Sequence, residues 1–295
     1  MINLEHVVLA SPEQMEFVIE GMRNPMNSWE KSDSEKEFTN AKWPEEMFIL
    51  GENDHSLMQR LSKAGTDHRK FMRMMPVYVR ITAPLYWWKE FDTYKVGTAT
   101  NSCSTVHRIV EKDFTLEDFS YEHLGVTVPA EKNDGDECYQ NLWLERMRST
   151  VEALNIARGF YNRENDSKLK EDYWWQMIQL LPSSYNQTRN VMFNYEVLAN
   201  IYRQRKNHKL DEWRDFCKWI ESLPYSEFVT CGVKESIPET TSDIRQAFGI
   251  LKSAGIKLTK EQLEELRKNG IFCYPVSDPK EKQGEEITDQ ADSFL

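Results

Sequence analysis

The chain has 295 residues, a formal net charge of −11 at pH 7 and a pI near 5.2. Hydrophobic residues make up 40% of it, enough for a large core, while the acidic balance argues against a general nucleic-acid-binding protein with a basic face. Five scattered cysteines without a CxxC pair and six histidines without HExxH spacing predict neither a disulfide framework nor a metal site.

The N-terminal quarter predicts two helices joined by a polar connection. The first residues show no basic, apolar leader, and no apolar run approaches the roughly 20 residues that span a bilayer, so we expect a cytoplasmic protein without a membrane segment. A helix is predicted over 11–24, because Ser11 can cap it and Pro12 suits its first turn. The stretch "DHSLMQRLSKAG" predicts a second helix that Gly65 ends.

The middle of the chain predicts one strand and two further elements. Apolar residues alternate at Val77, Val79 and Ile81, which is typical of a strand, and a helical segment is predicted after it. A strong helix is predicted over 142–162, followed by an exposed charged link over 162–172. The tryptophan pairs in "YWWKEF" and "DYWWQM" fit core packing or a flat surface on which a cofactor ring stacks, and both interpretations stay open.

The stretch "NYEVLANIYRQRKNH", residues 194–208, predicts an amphipathic helix with polar groups on its apolar stripe. At 100° per residue the stripe contains Val191, Asn194, Leu198, Ile201, Tyr202, Arg205 and His208. An unpaired buried guanidinium is very costly, so Arg205 should reach solvent, pair with a carboxylate or meet an anionic ligand. The sequence therefore allows a salt-bridged helix end or the floor of an anion site.

Towards the C-terminus the sequence predicts more helix and then a polar tail. Residues 210–224 form an amphipathic pattern, 259–270 a capped surface helix and 275–295 an acidic, flexible tail. With few strands predicted, the fold class is helix-rich α+β.

Residues 77–107 carry the first of two motifs of a known family. An I-x-A-P stretch ends the predicted strand, and an Asn and a Ser follow at the spacing of the motif RHRxxSxNExSxRY. The matching residues are Ile81, Ala83, Pro84, Asn101 and Ser104.

The second motif runs without a gap from Leu181 and Pro182 through Asn194 and Asn200 to Arg205. The chain thereby resembles the flavin-dependent thymidylate synthases, the ThyX family, over roughly residues 15–222. His208 and Glu212 resemble the histidine and glutamate that follow in the family. Arg23 stands where the family has an arginine near the flavin, and Arg73 where it has a flavin-contacting histidine.

The resemblance implies a ThyX-like fold, an antiparallel sheet flanked by long helices, over residues 1–222. We expect a C-terminal helical extension over 223–275 and the acidic tail over 276–295. In the family the long helix lines a site that the subunits of a homotetramer share. The cofactor is FAD, methylenetetrahydrofolate and NADPH are cosubstrates, and the acceptor is the C5 position of a pyrimidine nucleotide such as dUMP.

The resemblance also assigns roles to individual residues. The FAD-binding residues would be Arg73, Lys95, Asn101, Asn194 and Asn200. The substrate would contact Ser102, Ser104, His107 and Arg205, and of these Ser104 and Arg205 would act in catalysis. Cys103 lies inside the motif, but no basic neighbour or helix start is evident that would activate its thiol.

The chain departs from the family pattern at the arginines that would bind the phosphate of the nucleotide. The Arg-His-Arg triplet reads Thr93, Tyr94 and Lys95, the glutamate of the motif is Ser102, and two further arginines fall at Val106 and Ile178. Arginine binds phosphate bidentately, and neither lysine nor tyrosine repeats that geometry. Candidates for a substitute grip are Lys89, Lys95, His107 and Arg189.

Three functional hypotheses therefore stay open. The chain is a divergent flavin-dependent thymidylate synthase, a relative that alkylates a different nucleotide or base, or a binding protein that retains the fold without catalysis. Bound flavin separates the third hypothesis from the others, and substrate screening separates the first two.

Overall fold

The computed structural model describes residues 2–38, 45–125, 141–230 and 272–275. These residues fall into two units, one of residues 2–9, 62–125 and 141–230 and the other of residues 10–38, 45–61 and 272–275. The predicted boundaries at residues 222 and 275 stay predictions. The helix predicted over 259–270 and the tail predicted over 276–295 lie outside the described residues.

The described strands and helices confirm a helix-rich α+β protein with small antiparallel sheets. In chain order the strands are β1 (Asn3–Leu9), β2 (Glu35–Phe38), β3 (Glu45–Ile49), β4 (Pro76–Pro84), β5 (Ala99–Ser102), β6 (Asn186–Asn194) and β7 (Phe272–Pro275). The helices are α1 (Pro12–Arg23), α2 (Glu52–Lys63), α3 (Leu85–Phe91), α4 (Thr105–Arg108), α5 (Leu142–Arg163), α6 (Ser167–Leu180), α7 (Tyr195–Arg205), α8 (Asp211–Ser222) and α9 (Ser226–Thr230). Short 3-10 turns lie at Asn24–Met26, Trp29–Lys31, Lys70–Met74 and Leu116–Asp118. Within these ranges no helix has the length and apolar character that crossing a membrane requires.

The first unit is built on a four-stranded antiparallel sheet in the order β1-β4-β6-β5. The predicted alternation of β4 is confirmed, because Val77, Val79 and Ile81 are all buried on one face. The partner strand β6 pairs with β4 along its full length, from Asn194 opposite Pro76 to Asn186 opposite Pro84.

Strand β6 corrects the predicted helix stripe. Val191 lies in this strand and not on the helix, and His208 follows the helix end. The chain changes from strand to helix at Asn194, whose backbone is extended (φ −131°, ψ 171°) and whose side chain caps α7. The strand was not predicted because its first half, Asn186–Asn190, is polar and lacks the apolar alternation of a half-buried strand.

Two apolar clusters fill the first unit. Trp87 and Phe91 of α3 pack against Trp213 and Phe216 of α8, with ring centroids 4.7–6.5 Å apart, and Trp88 packs against Trp87 and Phe91. This tryptophan pair is therefore core. The second cluster lies between α5, α6 and the loops before them, and its buried residues are Ile109, Phe114, Phe119, Met147, Leu154, Ala157 and Met177.

The charged link predicted over 162–172 is too long. Helix α5 ends at Arg163 and α6 already begins at Ser167. The reason is a helix cap, since the Asp166 carboxylate accepts hydrogen bonds from the backbone N–H groups of Lys168 and Leu169 at 3.0 Å.

The second unit contains α1, most of α2 and a three-stranded antiparallel sheet in the order β2-β3-β7. The predicted start of α1 is confirmed, with Ser11 and Gln14 forming a reciprocal capping box. The connection predicted as merely polar contains β2 and β3. Arg23 is buried here, and its guanidinium donates to Asp54, to Ser28 and to the carbonyl of Lys31.

Candidate functional site

A cavity of about 560 Å³ lies beside the first turns of α7 in the first unit. We call it the basic cavity. It is formed by the segment before and within the 3-10 turn Lys70–Met74, the loop after α3 and one side of α7. Its lining residues are Thr66, Arg69, Arg73, Thr93, Tyr94, Lys95, Val96, Gly97, Asn194, Glu196, Val197, Asn200 and Arg203.

Four of the five predicted FAD-binding residues line the basic cavity, namely Arg73, Lys95, Asn194 and Asn200. They come from three segments that are far apart in the sequence. The triplet that departs from the family motif lines the same cavity at Thr93, Tyr94 and Lys95. The structure thus brings together the residues that the resemblance assigned to one ligand.

The charges of the basic cavity contrast with those of the whole chain. Arg69, Arg73, Lys95 and Arg203 give four cations against one carboxylate, Glu196, in a protein whose net charge is −11. The carboxylate is engaged, because Glu196 Oε2 lies 2.8 Å from Nε of the buried Arg69. The remaining cations are exposed at the cavity, which makes it a local attractor for anions.

The side-chain oxygens of the two asparagines are engaged by groups of α7, which leaves their N–H₂ groups to donate to a ligand. Asn194 Oδ1 accepts the backbone N–H of Val197 at 3.0 Å, and Asn200 Oδ1 accepts from Arg203 Nη2 at 3.2 Å and from Gln204 Nε2 at 3.0 Å. A backbone N–H and a guanidinium can only donate, so the oxygen of each asparagine is fixed on that side. Together with the cations, these amides make the polar lining rich in donors.

Gly97 brings the loop after α3 close to α7. Its φ of +76° is a left-handed conformation that side chains rarely adopt, and a Cβ there would lie 3.0 Å from Val197 Cγ2. A side chain at position 97 would therefore strain the loop that places Lys95 at the cavity.

Arg205 lies in a salt-bridged cluster at the C-terminal end of α7. Its Nη1 donates to Glu90 Oε2 at 2.9 Å and its Nε to the Tyr94 hydroxyl at 2.8 Å. Its guanidinium carbon lies 4.8 Å from the centroid of the Trp213 ring, and Trp213 Nε1 donates to the same oxygen of Glu90. His208 Nε2 is 3.5 Å from this oxygen. Arg205 is not among the lining residues of the basic cavity, and its predicted contact with a nucleotide stays a prediction.

The remaining predicted residues lie away from the basic cavity. Asn101 and Ser102 are exposed on β5, and Asn101 lines a groove on the sheet face formed with β1, β4 and β6. Ser104 caps the short α4 by accepting the backbone N–H of His107 at 3.3 Å, and His107 is exposed. Ser102, Ser104 and His107 therefore lie away from the basic cavity, and so does Asn101, the fifth predicted FAD-binding residue.

Ser104 and Cys103 line a second, smaller cavity of about 250 Å³, which we call the polar cavity. It lies where β5 ends against β4 and β6. Its lining residues are Thr82, Cys103, Ser104, Thr105, Lys112, Glu117, Asp118, Tyr185, Asn186, Gln187 and Thr188.

Several cavity residues escaped the sequence analysis. Arg203 follows Asn200 by three residues on the same helix side, a spacing that could have been noticed. Arg69 carried no such signal, because its partner Glu196 lies far along the chain. Val106 and Ile178 stand where the family has arginines, and both have structural contacts here. Ile178 packs against the second apolar cluster, and the Val106 carbonyl accepts a hydrogen bond from Trp174 Nε1.

No family model matches the chain, and no curated protein matches it either. Among solved structures, the chain is similar to thymidylate synthase ThyX from Helicobacter pylori with FAD and dUMP. The TM-score is 0.49 at 15% identity, over 77% of this chain and 94% of that chain. A second ThyX structure from Helicobacter pylori, also complexed with FAD and dUMP, gives 0.47 at 16%, over 77% and 95%. The UMP/dUMP methylase PolB from Streptomyces cacaoi, bound with 5-Br UMP, gives 0.43 at 16%, over 75% and 87%.

Proposed function

We propose that the chain is a flavoprotein that binds FAD in the basic cavity and transfers a one-carbon unit to C5 of a pyrimidine, as a divergent flavin-dependent thymidylate synthase. The observation that carries the proposal is the convergence of Arg73, Lys95, Asn194 and Asn200 on one cavity of about 560 Å³. A volume of this size suits a cofactor-sized ligand.

The lining of the basic cavity fits the chemistry of FAD. The pyrophosphate of FAD is anionic, and its isoalloxazine ring carries carbonyl oxygens and ring nitrogens that accept hydrogen bonds. Arg73, Lys95 and Arg203 supply cations, and the two asparagine amides supply neutral donors. Bound FAD would supply the redox chemistry, with methylenetetrahydrofolate and NADPH as cosubstrates.

In this proposal the protein's own residues bind and orient FAD and the pyrimidine acceptor. The asparagines of α7 hold hydrogen-bond acceptors, the cations hold phosphate, and Ser104 contacts the pyrimidine as a hydrogen-bonding partner. Since the cofactors carry the reactivity, the proposal requires no activated thiol, acid–base dyad or metal ion.

Flavin binding tests the proposal directly. We expect the purified chain to be yellow, or to become so with FAD, and to show the flavin absorption bands and quenched flavin fluorescence. Lys95→Glu reverses a charge at the cavity and should weaken FAD binding at least tenfold, since one charge-assisted hydrogen bond is worth roughly 1.5–3 kcal/mol. The matched control is Lys218→Glu on the exposed side of α8, which should bind FAD like the parent. Absence of FAD binding by the parent chain would refute the proposal.

A second candidate function is alkylation of an acceptor other than dUMP. Two arginines that could hold the phosphate of dUMP are already paired with carboxylates. Arg205 pairs with Glu90, and Arg189 pairs with Asp92 at 2.7 Å. The Arg189 guanidinium also lies over the Trp88 ring. Under this second candidate, dTMP formation from dUMP, methylenetetrahydrofolate and NADPH is weak or absent in FAD-loaded protein. Product analysis by chromatography checks this, and robust dTMP formation would favour the first candidate.

A further inference from the structure

The polar cavity differs from the basic cavity in its charge. Apart from three ionic residues, its lining consists of hydroxyl groups, amides and one thiol. Its one cation in the described part of the chain is Lys112, whose ammonium group is bound to the carboxylate of Asp118. Glu117 adds a second, exposed carboxylate that makes no ion pair within the described residues. The lining therefore carries more negative than positive charge.

The nearest strong cation on β6 does not change this balance. Arg189 donates to Gln187 Oε1 at 2.9 Å and to Asp92 Oδ1 at 2.7 Å. Gln187 in turn donates from Nε2 to Thr105 Oγ1 and to the carbonyl of Cys103. A phosphate in this cavity would meet the ammonium of Lys112, which Asp118 already binds, and the carboxylate of Glu117.

The neutral groups are suited to an uncharged polar ligand. The Tyr185 hydroxyl is half-buried and makes no hydrogen bond within the described residues, while its ring packs against Phe119. Burial raises the pKa of Tyr185, and Asp118 raises it further, so the hydroxyl keeps its proton and can both donate and accept. The hydroxyls of Thr82 and Thr188 hydrogen-bond each other at 2.7 Å, and Ser104 accepts from the backbone of His107, so each keeps part of its hydrogen-bonding capacity for a ligand.

We propose that the polar cavity binds an uncharged ligand of nucleoside type, whose sugar hydroxyls and base amide meet the hydroxyl groups and amides of the lining. This inference rests on the proposed function and narrows it: the pyrimidine acceptor binds without a phosphate monoester. The volume of about 250 Å³ limits the ligand to roughly a base and its sugar.

Calorimetric titration of the full chain with deoxyuridine and with dUMP tests the inference. We expect deoxyuridine to bind at least as tightly as dUMP. Glu117→Gln should strengthen dUMP binding about two- to fivefold and leave deoxyuridine unchanged, because an exposed charge contributes only modestly. Tyr185→Phe should weaken deoxyuridine binding about three- to tenfold, whereas Tyr78→Phe on the exposed sheet face should not.

Alkylation of the Cys103 thiol tests whether the ligand binds in the polar cavity. It is exposed at the polar cavity, so bound deoxyuridine should slow its alkylation, as read by mass spectrometry of its peptide. Tenfold tighter binding of dUMP than of deoxyuridine, no deoxyuridine binding at about 10 mM, or unprotected Cys103 would each overturn the inference. FAD titration separates the two proposals: Tyr185→Phe should keep the FAD affinity, and FAD binding without deoxyuridine binding would leave the proposed function standing alone.

Discussion

Asp54 is fully buried and shows how one residue can hold a whole loop. Its carboxylate accepts from Arg23 Nε at 2.6 Å, from the hydroxyls of Ser32 and Ser34, and from the backbone N–H groups of Asp33 and Ser34. Burial alone would raise the pKa of Asp54, but the hydrogen bonds from Ser34, Ser32 and Arg23 lower it below the ordinary value of 3.8.

This lowered pKa has a consequence for stability at acid pH. The carboxylate stabilises the folded chain at pH values above its unfolded pKa, and this contribution is lost as the pH falls through the lower folded pKa. We expect the melting temperature to fall steeply below about pH 4. In Asp54→Asn the acid-sensitive slope should be smaller, although the variant is less stable throughout.

The size of the Asp54 effect can be measured at neutral pH. Asp54→Asn leaves the buried Arg23 guanidinium without its counter-charge, which costs roughly 3–5 kcal/mol of unfolding free energy. Asp215→Asn is the matched control, since its ion pair with Lys218 is exposed and should change the stability by less than about 1 kcal/mol. Equal denaturant midpoints for the two variants would contradict the assigned role.

We expect Arg205 and Glu90, which lie 115 positions apart in the sequence, to contribute to the unfolding free energy in a coupled way. Arg205→Met removes two hydrogen bonds and leaves Glu90 with Trp213 and His208, so we expect a loss of roughly 1–3 kcal/mol. Glu90→Gln in the same chain should recover part of that loss, which a double-mutant cycle on unfolding free energies measures. Additive effects would show that the ion pair does not stabilise the chain. Nucleotide affinity of the same variants tests the ligand contact predicted for Arg205.

At the level of the elements, Asn194 joins a structural task to a proposed binding task. Its oxygen caps α7, and its amide nitrogen lies at the basic cavity. Asn194→Asp keeps the capping oxygen but replaces the donor with an anionic acceptor, so stability should hold while FAD affinity falls at least tenfold. Asn194→Ala loses both functions and should also cost about 1 kcal/mol of stability. If Asn194→Asp bound FAD like the parent, the amide would not be a flavin contact.

The whole molecule carries a surface that suits the proposed homotetramer. Six large apolar side chains on α5 and α6 are 43–54% exposed: Trp143, Ile156, Phe160, Leu169, Trp175 and Leu180. Helices α5 and α6 pack against each other, so these side chains offer apolar area that subunit association would remove from water. We expect a tetramer by light scattering, and we expect Ile156→Glu with Trp175→Glu to reduce the mass and weaken FAD binding. Phe17→Glu on the exposed side of α1 is the control, and a monomeric parent would contradict the prediction.

Elements whose signals are local can be predicted from the amino-acid sequence alone. The cap of α1, the strand of alternating Val77, Val79 and Ile81, and the amphipathic α8 depend on neighbours within a few residues, so their patterns are readable directly. The resemblance likewise selected four residues that line one cavity. The helix-rich α+β class of the fold could be predicted from these elements.

The contacts between distant polar groups, in contrast, depend on how the chain packs in three dimensions. Strand β6 is stabilised by its pairing with β4 and β5 rather than by its own pattern, so it was not predicted. The partner of Arg205 is Glu90 and that of Arg69 is Glu196, and neither can be read from spacing. Asn101 and Ser104 proved to lie away from the basic cavity for the same reason. Which side chains share a cavity depends on how distant segments pack, and that packing follows from the burial of the whole core rather than from any single stretch of sequence.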